Sequence, residues 1–261
     1  MKVAVGLLAA TALAFLVLPV AAIFVHVPPA ELVRRLGDPV ARDALVVSLK
    51  TNALAELLVL AFGTPLAYML ATRRFRGRAA VVTLVELPLV LPPAVAGIGL
   101  FAAFGRSGLL STSLPFTQAA VVVAVAFVAS PFYVRAAIAA FESVDARLVE
   151  AARTLGASPG RVFARVALPL AKGGLAAGAA LAFARGLGEF GATIMFAGSL
   201  QGRTQTLPLA IYAEFDRDFD VALSLGALLI AVSAAILLAV KLLWTSSPST
   251  SPFRFAPSSS S

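Results

Sequence analysis

The sequence has 261 residues, 60% of them hydrophobic and only 13% charged, with a mean hydropathy of +0.94. A soluble domain is nearer half apolar and a quarter charged, so this composition excludes one and indicates an integral membrane protein. With no cysteine and a single histidine, His26, disulfides, thiolate chemistry and nearly all soft-metal sites are excluded; the formal charge of +8 fits basic loops beside anionic lipid rather than nucleic acid, because no basic run is interleaved with aromatics.

Met1-Lys2 and the apolar run to Val25 imitate a signal peptide. The run exceeds the ~7–15 residue core of one and matches the ~20 residues that cross a bilayer, so 3–25 is read as a retained first span. Further spans are predicted at 48–72, 79–104, 118–141, 172–198 and 221–243, giving an all-α integral membrane protein of about six transmembrane helices. Pro65, Pro88, Pro92 and Pro93 fall inside these spans and are read as tolerated, since neighbouring helices or water can satisfy the freed backbone groups. Glu56 and Glu86 also lie within spans, where internal pairing is the only role assigned to them.

With the N-terminus in the cytoplasm, most Lys and Arg fall inside, led by the Arg73-Arg74-Phe75-Arg76-Gly77-Arg78 turn and including Arg254. That bias places both termini in the cytoplasm. The largest cytoplasmic loop then joins spans four and five and carries EAARTLGASPGRVFARVALP, Glu150 to Pro169. Pro159-Gly160 is expected to break it into two short helices. Val144, Leu148, Ala151, Ala152 and Leu155 recur at helical spacing before the break; Val162, Phe163, Val166 and Leu170 do so after it. Such a segment buries one face against the bundle and offers the other to the cytoplasm.

On span five, Arg185, Glu189 and Thr193 are spaced by four and are expected to form one polar stripe. Gly174 and Gly178 precede it and permit close helix approach. Charges in a membrane usually face a bundle interior or a wet cavity. Two readings stay open: Arg185 and Glu189 brace the fold, or the stripe lines or gates an anion route. Bracing suits Glu189 better, because a carboxylate repels a dianion. Near the last span, Asp216-x-Asp218-x-Asp220 imitates a calcium loop, but its sixth position is Val221 and its twelfth Ala227. With Glu214 it is read as solvated surface, with docking of an external protein as the alternative. After Trp244 the chain turns Ser- and Pro-rich, so 245–261 is expected to be a disordered cytoplasmic tail and 1–244 the membrane domain.

The spacing Glu150-Ala151-Ala152, Gly156, Val166, Leu168-Pro169 resembles the EAA loop of ABC-importer permeases, departing only in Val166 for Ile. LPLVLPPAVAGIGLFAAFGRSGLL from Leu87 and RGLGEFGATIMFAGSLQGRTQTLPLAIY from Arg185 are similar to the molybdate-type permease subunit; the sulfate permeases share the GEFG core. The resemblance implies a type I importer architecture in a bacterial or archaeal cell (inner) membrane, in which segment 143–170 couples to a separate ATPase. Glu150, Ala151, Ala152, Gly156, Val166, Leu168 and Pro169 would carry the motif, and the stretch around Ala157, Ser158, Pro159 and Arg161 would meet the ATPase. It also implies a second copy of the chain, two ATPase subunits that bear the ATP and Mg, and an extracytoplasmic binding protein for molybdate or tungstate. The chain has no GxxxxGK[ST] phosphate loop of its own, and no HExxH, so it is read as a transport subunit rather than an enzyme, with no cofactor or metal. A sulfate or thiosulfate permease, or an autonomous anion carrier or channel, is the alternative.

Overall fold

The computed structural model describes residues 2–28, 30, 34 and 37–245. Thr245 ends the last helix, and the remainder of the expected tail, with Arg254, lies outside the described residues. Among the described residues every regular element is a helix: α1 Lys2–His26, α2 Pro39–Thr72, α3 Arg78–Val90, α4 Pro93–Phe104, α5 Gln118–Glu142, α6 Ala146–Thr154, α7 Pro159–Val162, a π turn Phe163–Ala167, α8 Leu168–Leu187, α9 Gly191–Ala197, α10 Leu207–Phe215 and α11 Phe219–Thr245. Five are long and apolar enough to cross a membrane, and α3 with α4 makes a sixth crossing if the bent pair counts as one.

α5 sits at the centre, packed between α2 and α8. Lipid tails are as apolar as side chains, so close packing rather than the hydrophobic effect must hold such helices together. The small residues supply it. A Cβ on Gly174 would lie 2.5 Å from the Ala140 Cβ, and one on Gly178 would lie 2.7 Å from the Ala136 Cβ. On the other side of α5 the Tyr133 hydroxyl meets Thr64 Oγ1 of α2 at 2.6 Å.

Three expected spans are corrected. α2 begins at Pro39, nine residues before the predicted start, with Asp38 Oδ1 accepting from the Val40 N–H at 2.9 Å. Arg42, Asp43 and Lys50 interrupt the apolar run there, so hydropathy misses the turns that project past the bilayer. The predicted span 79–104 is two helices meeting at 115°. Leu91 and Pro92 are extended (ψ 130° and 132°). Pro92 and Pro93 cannot donate to the preceding turn, and each pushes the residue before it away from helix. The predicted span 172–198 likewise fails at both ends: its helix runs continuously from Pro159 and stops at Leu187, leaving Gly188–Phe190 as a break before α9.

The two ends of the bundle are distinguished by contacts. Arg78 of α3 pairs with Glu142 of α5 at 2.9 Å, which places the 73–77 turn beside the start of the 143–158 segment. At the opposite end Lys50 donates to Gln118 at 2.9 Å, Gln201 to Asp43 at 3.4 Å, and the Phe116 N–H to the Phe196 carbonyl at 3.4 Å.

Candidate functional site

At the first end, Asp145 caps α6 by accepting from the Arg147 N–H at 3.0 Å, and the Arg147 guanidinium pairs with it at 2.8 Å. The Arg147 hydrogen bonds hold the Asp145 carboxyl below the usual carboxylate range, so the cap stays ionised well into acid. α6 carries Glu150 and Ala151 exposed and Ala152 half-buried. It stops by geometry that glycine alone allows cheaply: Gly156 has φ +82°, its N–H reaches the Arg153 carbonyl at 2.9 Å, and the Ala157 N–H reaches the Ala152 carbonyl at 3.0 Å. This is a Schellman stop. The break therefore falls at Leu155–Ser158, not at Pro159-Gly160 as expected; Pro159 is the first residue of α7, where its missing N–H costs nothing.

From Pro159 the chain is one rod into the bundle. Pro169 cannot donate to the preceding turn, and just before it the helix widens so that the Leu168 N–H bonds Phe163 five residues back. Val162 and Ala167 are buried, beside an aromatic cluster in which Tyr68 lies 5.2 Å from Phe141 and 4.8 Å from Phe163. The sequence motif thus divides. Glu150, Ala151, Ala152 and Gly156 shape an exposed helix and its stop, Ala157, Ser158, Pro159 and Arg161 form the turn outward, and Val166, Leu168 and Pro169 anchor the rod. No atom beyond the neighbouring residues lies within 4 Å of a Cβ placed on Gly156, so that face is open. A cleft of about 310 Å³, lined in part by Tyr68, Thr72, Glu142, Val149, Glu150 and Arg153, separates α6 from the ends of α2 and α5.

The second cluster lies inside the bundle. Arg185, Glu189 and Thr193 are not one stripe on one helix: Arg185 closes α8, Glu189 stands in the break, and Thr193 is on α9. Glu189 Oε2 pairs with Arg185 at 2.9 Å, and Glu189 Oε1 accepts the Ala192 N–H at 2.8 Å. The carboxylate, 1% exposed, therefore caps α9 and ties it back to α8. Thr193 is fully buried and its hydroxyl has no hydrogen-bond partner among the described residues. This break faces the other one: a Cβ on Gly191 would lie 2.5 Å from the Pro93 Cβ, and one on Gly97 would lie 2.7 Å from the Ala192 carbonyl oxygen. Arg185 lines a cavity of about 120 Å³ together with Pro88, Leu89, Leu91 and Pro93. Because Pro92 and Pro93 donate nothing, the Pro88 and Leu89 carbonyls lose their helical partners, and the guanidinium borders that carbonyl-rich corner.

Of the membrane carboxylates left unassigned, Glu86 pairs with Arg135 at 3.2 Å. Glu56 Oε1 is buried and makes no hydrogen bond among the described residues, which corrects the expected internal pairing for that atom. Sequence reasoning also missed a polar face on α2. Ser48 accepts the Leu207 N–H at 2.7 Å at the start of α10, and Asn52 donates to the Phe183 carbonyl at 3.0 Å. Ser48, Thr51 and Asn52 at i, i+3 and i+4 in an apolar run were the available signal. Asp218 accepts from the Asp220 and Val221 N–H groups at 3.1 Å each, so it caps α11. No group of three metal-ligating side chains occurs among the described residues.

Residues 63–245 match the family described as binding-protein-dependent transport system inner membrane component. The chain is 43% identical to the molybdenum transport system permease protein ModB of Mycobacterium tuberculosis, over 87% of this chain and 88% of that one. It is 40% identical to the molybdate/tungstate transport system permease protein WtpB of Thermococcus kodakarensis, over 64% and 66%. Its fold is similar to a chain of the crystal structure of a bacterial alginate ABC transporter in complex with a pentasaccharide-bound periplasmic protein, with a TM-score of 0.72, 17% identity and 93% of each chain covered.

Proposed function

This chain belongs to the binding-protein-dependent transport system inner membrane components, and we propose that within that family it passes a tetrahedral oxyanion, molybdate or tungstate, across the membrane as the spanning subunit of an ATP-driven importer. The geometry that supports the reading is a single rod. Pro159–Leu187 is one continuous helical stretch of 29 residues, about 44 Å at 1.5 Å per residue. It starts at the exposed Gly156 stop and ends at the Arg185–Glu189 break, whose carboxylate is buried and which faces the Pro92-Pro93 break of α3–α4. A push on α6 is therefore delivered to two apposed hinges in the membrane interior.

In this reading α6 and the turn through Arg161 dock on a separate ATPase, which bears ATP and Mg; two copies of the chain work with two such subunits. Both termini are cytoplasmic, and loops 105–117 and 198–206 are external. A binding protein outside supplies high affinity, so the permease itself needs only weak sites along the route. Arg185 and Glu189 brace the hinge, and Thr193 stands beside it. Molybdate or tungstate is favoured over sulfate by the Arg203-Thr204-Gln205-Thr206 run into α10 and by the names of the relatives.

The test is reconstitution with the ATPase and binding protein. Hydrolysis is expected to rise with molybdate or tungstate at concentrations where sulfate is silent. An equal response to sulfate would move the chain to the sister group.

A further inference from the structure

The loop between α4 and α5, residues 105–117, is built as a rigid object. A helix leaves its last four carbonyls without partners. Here the loop satisfies all four of α4: the Gly105, Leu109 and Leu110 N–H groups donate to the Phe101, Ala102 and Ala103 carbonyls at 2.8, 3.0 and 2.9 Å, and the Thr112 hydroxyl donates to Phe104. Thr117 caps α5 through the Ala120 N–H at 3.2 Å. Among the described residues the only non-glycine residues with positive φ are Ser111 (+46°) and Phe116 (+63°), and both lie in this loop. Such conformations persist only where surroundings impose them. Phe116 is held by its N–H to Phe196, by its ring against Phe101 at 6.1 Å, and by contact with Gly198.

The loop spends none of this bonding on three side chains. Arg106, Ser107 and Ser113 are exposed and make no side-chain hydrogen bond or ion pair among the described residues. The three line one pocket of about 300 Å³, walled by Phe101, Pro115 and Phe116, with no acidic residue in its lining. One guanidinium and two hydroxyls are the donor set that suits an anion with several oxygens. The guanidinium fork can bind two oxygens at once, and neutral hydroxyls add donors without trapping charge. The place also fits. α4 leads from Pro93 to this loop and packs on α9, which leads from the Glu189 break to Phe196 beside Phe116. The pocket thus stands at the outer end of the same helix pair whose inner end holds Arg185.

We propose that Arg106, Ser107 and Ser113 form an entry subsite that receives the tetrahedral oxyanion before it passes to the hinge. This rests on the importer reading above. The test uses the assembled importer in proteoliposomes with loaded binding protein. It compares wild type, Arg106→Gln, Arg106→Lys and Ser113→Ala for uptake of molybdate or tungstate. Docking of the oxyanion-free binding protein is measured alongside. Loss of a charged hydrogen bond predicts about a tenfold fall in uptake for Arg106→Gln. Arg106→Lys should fall between, because it keeps charge but loses the fork. Docking of the empty binding protein should match wild type. Uptake by Arg106→Gln within about twofold of wild type would overturn the proposal. So would a parallel loss of empty binding-protein docking, since Arg106 would then be reading a protein carboxylate. If Arg106→Gln does not fold, Ser113→Ala carries the same comparison, with a fall of about threefold or more expected and wild-type uptake contradicting the subsite. A wild-type importer that moves neither oxyanion sinks the functional reading and this inference together; an active wild type with unaffected variants sinks the inference alone.

Discussion

The chain interrupts its helices at Leu155–Ser158 and again at Gly188–Phe190, and the two stops are finished in opposite ways. The first is exposed. A Schellman turn at Gly156 closes two carbonyls, water can serve the rest, and the side chains around it are left for a partner. The second lies within the bundle, where Glu189 is buried although Gly188 is exposed, and freed backbone groups must be met by the protein or by water in a cavity. Glu189 is brought in at 1% exposure to cap α9, which in turn requires Arg185 to neutralise it, and Gly191 and Gly97 let α4 close over the break. A break at a surface costs one glycine. A break inside a membrane costs a charge pair and a set of close-packed glycines, and so marks a place where the fold needs to bend.

That contrast can be broken most severely at Glu189. Glu189→Ala should remove both the α9 cap and the charged hydrogen bond to Arg185, which is 30% exposed, at about 2–4 kcal/mol. Arg185→Gln with Glu189→Gln should recover much of the loss. Thermal unfolding of the purified variants, with uptake measured alongside, decides it: stability and transport should return together. A double variant that is stable but does not transport would place Arg185 on the anion route instead. Next in size is Gly178→Val, where the added carbons meet Ala136 and the Tyr133 backbone. About 1–3 kcal/mol should be lost to overpacking, read as a lower melting temperature in detergent.

The exposed stop predicts a smaller and different response. At Gly156 there is space for a side chain but not the backbone for one, so Gly156→Ala should cost roughly 1–2 kcal/mol of local strain. It should weaken ATPase association in a pull-down while the bundle unfolds as wild type. Gly156→Leu should weaken association further by intruding on the open face. Unaltered association in both would make the segment merely structural. Smallest is Thr193→Val, which removes a buried hydroxyl that has no partner among the described residues. Stability should change by less than about 1 kcal/mol, in the stabilising direction if at all. Slower uptake at unchanged stability would give that hydroxyl a part in transport.

The all-helical class and the positions of three of the six spans were legible in the sequence because apolar runs of bilayer length have few other uses. The internal breaks were not. Pro92-Pro93 was visible but ambiguous, since prolines inside membrane helices are commonly absorbed. Gly188-Glu189-Phe190 looked like three more residues of a helix, and the i, i+4 spacing of Arg185 and Glu189 was right about the contact and wrong about the backbone that makes it. At the exposed end the glycine and proline were both visible, but the sequence did not say which one stopped the helix; Gly156 stops α6 and Pro159 starts α7. The extension of α2 to Pro39 and its buried Ser48 and Asn52 were hidden because a polar residue in an amphipathic turn reads the same whether it faces water or a neighbouring carbonyl.

The most direct test of the account concerns Ser158, in the exposed stop at the head of the rod. The chain has no cysteine of its own, so Ser158→Cys and Gly202→Cys can each be labelled alone. In sealed, right-side-out vesicles containing the assembled importer, a membrane-impermeant thiol reagent is expected to reach position 202 from outside and not position 158. In inverted vesicles it should reach position 158, and bound ATPase should protect it. Labelling of position 158 from outside, or labelling unaffected by the ATPase, would contradict the claim that this end of the rod is where the drive enters.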